Sequence, residues 1–131
     1  MDKLSQLISS SESRLSDLAG KLVLSREEQN EIGYLLTSIL TAYFSSLDRE
    51  TGMKGWSVDD MFPDEVRGTQ DKITLTGNIY WLSGGSTSTC YQADIARNES
   101  PILYSVKLKN KRQKQVLYIG KTYTGWVCNE T

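Results

Sequence analysis

The fold is decided by one stretch, Lys72-Ile73-Thr74-Leu75-Thr76-Gly77-Asn78-Ile79-Tyr80-Trp81. Ile73, Leu75, Gly77, Ile79 and Trp81 alternate with Thr74, Thr76, Asn78 and Tyr80. A period of two sends successive side chains to opposite faces, so this stretch predicts a half-buried strand. The residues before it follow the helical period instead. The switch near position 72 divides the chain into a helical part and a sheet.

Downstream, the period of two recurs. Ser83-Gly84-Gly85-Ser86 is a hairpin turn, followed by a strand over about residues 87–96 with Thr89, Tyr91, Ala93 and Ile95 on one face. Asn98-Glu99-Ser100-Pro101 turns the chain into a third strand, residues 102–109, which aligns Ile102, Tyr104, Val106 and Leu108. Residues 110–114 form a polar turn, 116–121 a fourth strand and 123–128 a fifth. Connections this short join antiparallel neighbours and not parallel ones.

Upstream, Ser25-Arg26-Glu27-Glu28 is a capping box, in which the hydroxyl serves an orphan N–H and Glu28 reaches back to the cap. Ile32, Leu35, Leu36, Ile39, Leu40, Tyr43, Phe44 and Leu47 then make a helical stripe that must pack on something large. An earlier helix, from about Asp2 to Ala19, carries Leu4, Leu7, Ile8, Leu15 and Leu18. Leu22 extends the stripe, and Gly20 is the expected left-handed stop. Residues 52–71 read as a loop with a short helix, capped by Ser57 and stopped by Pro63. The expected fold is α+β: two N-terminal helices on a four- to five-stranded antiparallel meander. It forms a single domain over 1–131, helical over 1–50, loop over 51–71 and sheet over 72–128.

The 131 residues are 38% hydrophobic and 24% charged, a balance that suits one globular core. No apolar run approaches the roughly 20 residues of a membrane span, and the start lacks a secretory signal, so a cytoplasmic location is expected. Cys90 and Cys128 are then expected to be small buried side chains, with a disulfide as the alternative. There is no histidine. That excludes His-based nucleophile dyads, a His general base and His-containing zinc sites.

Charge is polarised along the chain. Residues 1–66 hold six Lys/Arg and twelve Asp/Glu, a net −6; residues 67–131 hold nine and four, a net +5. Either the halves attract each other across the fold or the second half meets an anionic partner. The sharpest positive feature is Lys107, Lys109, Lys111, Arg112 and Lys114 around one hairpin turn, a candidate nucleic-acid-binding element. Tyr104, Tyr118 and Tyr123 lie close enough in sequence to offer stacking surfaces. The competing explanation is a solvated turn whose lysines protect a sheet edge.

Three weaker features complete the inventory. Asp59, Asp60, Asp64 and Glu65 form an acidic group without the spacing of a calcium loop. Trp56, Trp81 and Trp126 suit either an interface or sheet packing. Tyr118-Ile119-Gly120 resembles the second half of the GIY-YIG nuclease motif, with Asn78-Ile79-Tyr80 as a loose first half. The two stand far apart, and no arginine follows Thr122, so the resemblance implies no nuclease activity.

No catalytic residue, cofactor site or metal site is expected from these patterns. The leading expectation is a non-catalytic domain that binds another protein as an adaptor, inhibitor or immunity-type partner. The alternatives are a nucleic-acid-associated protein using the basic hairpin, and a small-molecule pocket or enzyme between helices and sheet. Should the stripe of helix 2 exceed what one sheet covers, a homodimer is expected.

Overall fold

The computed structural model describes residues 3–51, 58–61, 63–81, 89–110 and 116–130. Two helices come first, α1 (Lys3–Ala19) and α2 (Arg26–Thr51), followed by eight strands. These are β1 (Val58–Asp60), β2 (Pro63–Gly68), β3 (Lys72–Asn78), β4 (Tyr80–Trp81), β5 (Thr89–Ala96), β6 (Tyr104–Asn110), β7 (Val116–Thr122) and β8 (Gly125–Glu130). The six long strands make one antiparallel sheet in the order β2-β3-β5-β6-β7-β8, while β1 and β4 pair as a separate ribbon. The class is α+β, helices before sheet, with one or two more strands in the sheet than the pattern predicted.

The capping box forms as the spacing required. Ser25 Oγ accepts from the Glu28 N–H at 3.1 Å, and Glu28 Oε1 accepts from the Ser25 N–H at 3.0 Å. Arg14 of α1 grips Glu31 of α2, and Lys21, in the turn between the helices, donates to the Glu28 carboxylate, so one ion pair crosses between the helices and a second ties the turn to α2. Along α2, Ile32, Leu35, Leu36, Ile39 and Leu40 are buried as expected. On α1 Leu15 and Leu18 follow the stripe into the core, Ile8 is half-buried and Leu7 exposed, while the side chain of Leu4 lies outside the described residues. Leu22 lies beyond the helix end and is exposed as well, because the chain has already left the helical period there. Gly20 ends α1 without the left-handed backbone expected of it; among the described residues only Asn98 and Gly125 have positive φ.

The helices roof one face of the sheet. Into the layer between them point Ile73 and Leu75 of β3, Tyr91, Ala93 and Ile95 of β5, Tyr104, Val106 and Leu108 of β6, and Ile119 of β7. On β3, β5 and β6 these are the faces the alternation predicted. At the β8 end the Trp126 ring stacks on Tyr43 of α2 at 4.4 Å, with Tyr104 edge-on at 5.7 Å and the Lys121 ammonium 5.3 Å from its centroid.

The expected loop over 52–71 is corrected. Within it β1 pairs with β4, and β2 adds to β3 through Val66↔Leu75 and Gly68↔Ile73. Thr69 closes this hairpin, its hydroxyl accepting from the Asp71 and Lys72 N–H groups. Pro63 begins an edge strand, where its missing N–H costs no ladder bond, and a register shift follows it. The predicted single strand 72–81 is likewise split. It breaks at buried Ile79, and Tyr80 and Trp81 leave the main sheet for the β1 ribbon.

Candidate functional site

Antiparallel sheets commonly carry a core on one face and meet solvent on the other. Here the second face presents Thr74, Thr76, Asn78, Cys90, Gln92, Asp94, Ser105, Lys107, Lys109, Val116, Tyr118 and Asn129. Each is exposed or half-buried, and no described element covers them. The register orders them into rows that cross the strands. One row runs Thr76↔Gln92↔Lys107↔Tyr118↔Asn129. The next runs Asn78↔Cys90↔Lys109↔Val116. A hollow of about 570 Å³ opens on this face, lined by Asp64, Thr76, Asn78, Gln92, Lys107 and Lys109 among others. A smaller one, about 210 Å³, lies beside Asp94, Ser105 and Tyr118.

Of the five basic candidates, Lys107 and Lys109 stand exposed at alternate positions of β6 and therefore share this face. Lys111, Arg112 and Lys114 lie outside the described residues. Neither Lys107 nor Lys109 makes an ion pair among the described residues, and neither does Asp64 at the rim of the same hollow, whereas Asp94 and Glu65 are satisfied locally. Asp94 accepts from Thr74 at 2.6 Å and from Gln92 at 3.2 Å and lies 3.8 Å from the Lys72 ammonium, while Glu65 pairs with Arg67. No ion pair among the described residues ties the acidic helices to the basic part of the sheet. The acidic excess of the first half is thus shared between the helices and strand β2, where Asp64 and Glu65 lie in the same sheet as Lys107 and Lys109.

The three tyrosines considered for stacking part company. Tyr104 points into the core, donates to Glu12 at 2.8 Å, and has its phenol pKa pushed up, first by burial and then by that carboxylate. Tyr123 sits at the β7–β8 turn, donating to Glu99, which also raises its pKa. Only Tyr118 stays with the lysines, directly across the strands from Lys107. Its ring lies across Gly120. A Cβ there would meet the Tyr118 hydroxyl at 2.7 Å and its ring carbons at 2.9 and 3.0 Å, so the ring occupies the place a side chain would take.

The other sequence candidates disperse. Asp64 and Glu65 are exposed along edge strand β2, and the side chains of Asp59 and Asp60 lie outside the described residues. Among the described residues no three His, Cys, Asp or Glu side chains gather as a metal site. Cys90 is half-buried on the open face and Cys128 exposed in the row of Ile119, so no disulfide joins them, and burial of both is corrected. Cys128 escapes burial because it lies on the terminal strand of the sheet. Trp56 is outside the described residues, and Trp126 packs in the sheet. No described helix is long and apolar enough to cross a membrane.

Arg97 was not singled out from sequence, and it holds three segments together. It is 8% exposed, and its Nη1 donates to the carbonyls of Ala19 and Lys21 at the C-terminal end of α1. Its own N–H donates to the Asp71 carbonyl at 2.8 Å. A guanidinium suits that place because the carbonyl end of a helix carries partial negative charge.

No family model, no curated protein and no solved structure matches this chain.

Proposed function

We propose that the chain is a non-catalytic binding protein that takes nucleic acid on the open face of its sheet. One observation carries the reading: Lys107, Lys109 and Tyr118 share a hollowed face that no described element covers, and the two lysines have no carboxylate partner among the described residues. Cations that track a phosphate backbone beside an aromatic ring that accepts a base are the parts a sequence-tolerant nucleic-acid surface needs. The basic turn beyond Lys109 extends the positive charge in sequence. The test is fluorescence anisotropy of a labelled oligonucleotide across a salt series. The wild type is expected to bind at low salt, weaken steeply as salt rises, and lose binding in the double variant Lys107→Glu/Lys109→Glu. Absence of binding at low salt, or unchanged binding by that variant, refutes the reading.

A protein partner is the second reading, favoured by a different place. Leu22 and Val23, side by side in the turn between the helices, are 85% and 84% exposed. Large apolar side chains presented together suit a protein contact. Cross-linking in the native host distinguishes the two: a partner lost by Leu22→Ser/Val23→Ser and kept by the lysine variant supports this reading.

A further inference from the structure

We propose that the open face takes its nucleic acid as a single strand, laid across the β-strands with one base stacked on Tyr118. This deepens the nucleic-acid reading and rests on it. The row Thr76, Gln92, Lys107, Tyr118 and Asn129 is built from direct cross-strand partners of five adjacent strands. Adjacent strands lie about 4.8 Å apart, so the row is a track roughly 19 Å long. Its chemistry is ordered. Thr76, Gln92 and Asn129 offer neutral donors and acceptors, Lys107 a cation, and Tyr118 a ring beside that cation. A nucleotide asks for those three things in proximity: a charge for its phosphate, a π-face for its base and hydrogen bonds for the base edge.

Tyr118 is the residue that a merely solvated face does not explain. Aromatic side chains in sheets ordinarily pack on cross-strand neighbours. Tyr118 instead lies along its own strand, over the bare backbone of Gly120. It remains half-buried, and among the described residues it makes no hydrogen bond or ring contact. Glycine at 120 is what permits this pose, since any Cβ there would stand 2.7 Å from the hydroxyl.

The same geometry disfavours other anions. A duplex keeps its bases paired and stacked, so it could use the lysines but leave the ring and the amides idle; reading its grooves needs a protruding helix or ribbon. An acidic protein segment would likewise use only the charges. The single strand alone exposes both phosphates and base faces.

The experiment compares a short labelled single strand, its duplex and polyglutamate of similar charge by anisotropy with the full chain, at low and moderate salt. The single strand is expected to bind more tightly than either competitor. Tyr118→Ala is expected to weaken it roughly 5- to 150-fold, the range that loss of one base–aromatic stack spans, with the salt slope unchanged. Tyr118→Phe is expected to bind like the wild type. Lys107→Ala is expected to flatten the slope by about 0.7. Thermal melts of each variant establish that it is folded, and Gly120→Ala, which must move the ring, serves as a second probe. If both tyrosine variants and Gly120→Ala bind like the wild type while the double lysine reversal abolishes binding, the stacked single strand is wrong and the charge-based reading survives. Equal affinity for the duplex or polyglutamate overturns it in the same way. No binding of any oligonucleotide overturns both.

Discussion

Replacing Arg97 with methionine keeps most of the buried stem and removes the guanidinium, so it isolates what the charged group does. The group is almost enclosed, and Nη1 serves the Lys21 carbonyl closely and the Ala19 carbonyl at 3.5 Å. A hydrogen bond from a charged donor contributes about 1.5–3 kcal/mol, of which the shorter contact holds most. Two effects reduce the loss. Lys21 is exposed, so water can reach its carbonyl, and Arg97 Nε is buried without a partner, a desolvation cost the substitution relieves. The net expectation is a loss of about 2 kcal/mol. With a urea m-value of about 2 kcal/mol/M for a chain of this size, the unfolding midpoint should fall by about 1 M without a change in m. Gly68 gives an internal control. A Cβ at that position would stand 2.7 Å from Arg97 Nη2, so Gly68→Ala must displace the anchored guanidinium. Overpacking of this kind costs about 1–3 kcal/mol. In the Arg97→Met background the obstacle is gone, and the cost of Gly68→Ala should drop below about 0.5 kcal/mol. Equal costs in both backgrounds, or an Arg97→Met variant as stable as the wild type, would refute the idea that this side chain ties the helix end to the sheet.

Three further outcomes follow from the helices and the core. Leu36→Ala removes a side chain with no exposure and should cost about 2–5 kcal/mol in urea unfolding, set by how far the cavity collapses. The Glu28 carboxyl is held down to about 2, first by Lys21 and then by the Ser25 N–H. A carboxyl depressed in the folded state stabilises above its ordinary value near 4.5 and loses that contribution as pH falls toward 2. Melting temperatures of Glu28→Gln should therefore show a shallower fall over that acid window than the wild type, and parallel curves would contradict the assignment. Tyr104 works at the other end of the scale. Its raised phenol pKa means its contribution is complete below pH 10 and fades above it as the unfolded chain ionises. Tyr104→Phe should flatten the alkaline limb of the stability profile, and an unchanged limb would contradict the buried phenol.

The parts of the fold that were legible in sequence are those fixed by periodicity. The stripe of α2 and the buried faces of β3, β5 and β6 follow from spacing alone, because packing enforces what the spacing offers. The edge was not legible. In β2 only Val66 follows the inward alternation, between Glu65 and Arg67, and proline opens the strand, so the pattern carried no strand signal. Leu22 was misleading because its spacing continues a helix that has already stopped. Arg97 left no trace because its role depends on a helix end far away in sequence. The lysines of the candidate site were visible as a cluster. Their association with Tyr118, and the separation of Tyr104 and Tyr123 from them, depended on the register of the sheet, which a list of neighbouring residues does not contain.

Backbone amide chemical shifts, followed by NMR as a short single strand is titrated into labelled protein at low salt, would locate the contact directly. Changes should concentrate at Gln92, Lys107, Tyr118 and Asn129 and leave α1 and α2 undisturbed. Shifts gathered around Leu22, Val23 and Tyr34, or none at saturating oligonucleotide, would contradict a sheet whose uncovered side is its working side.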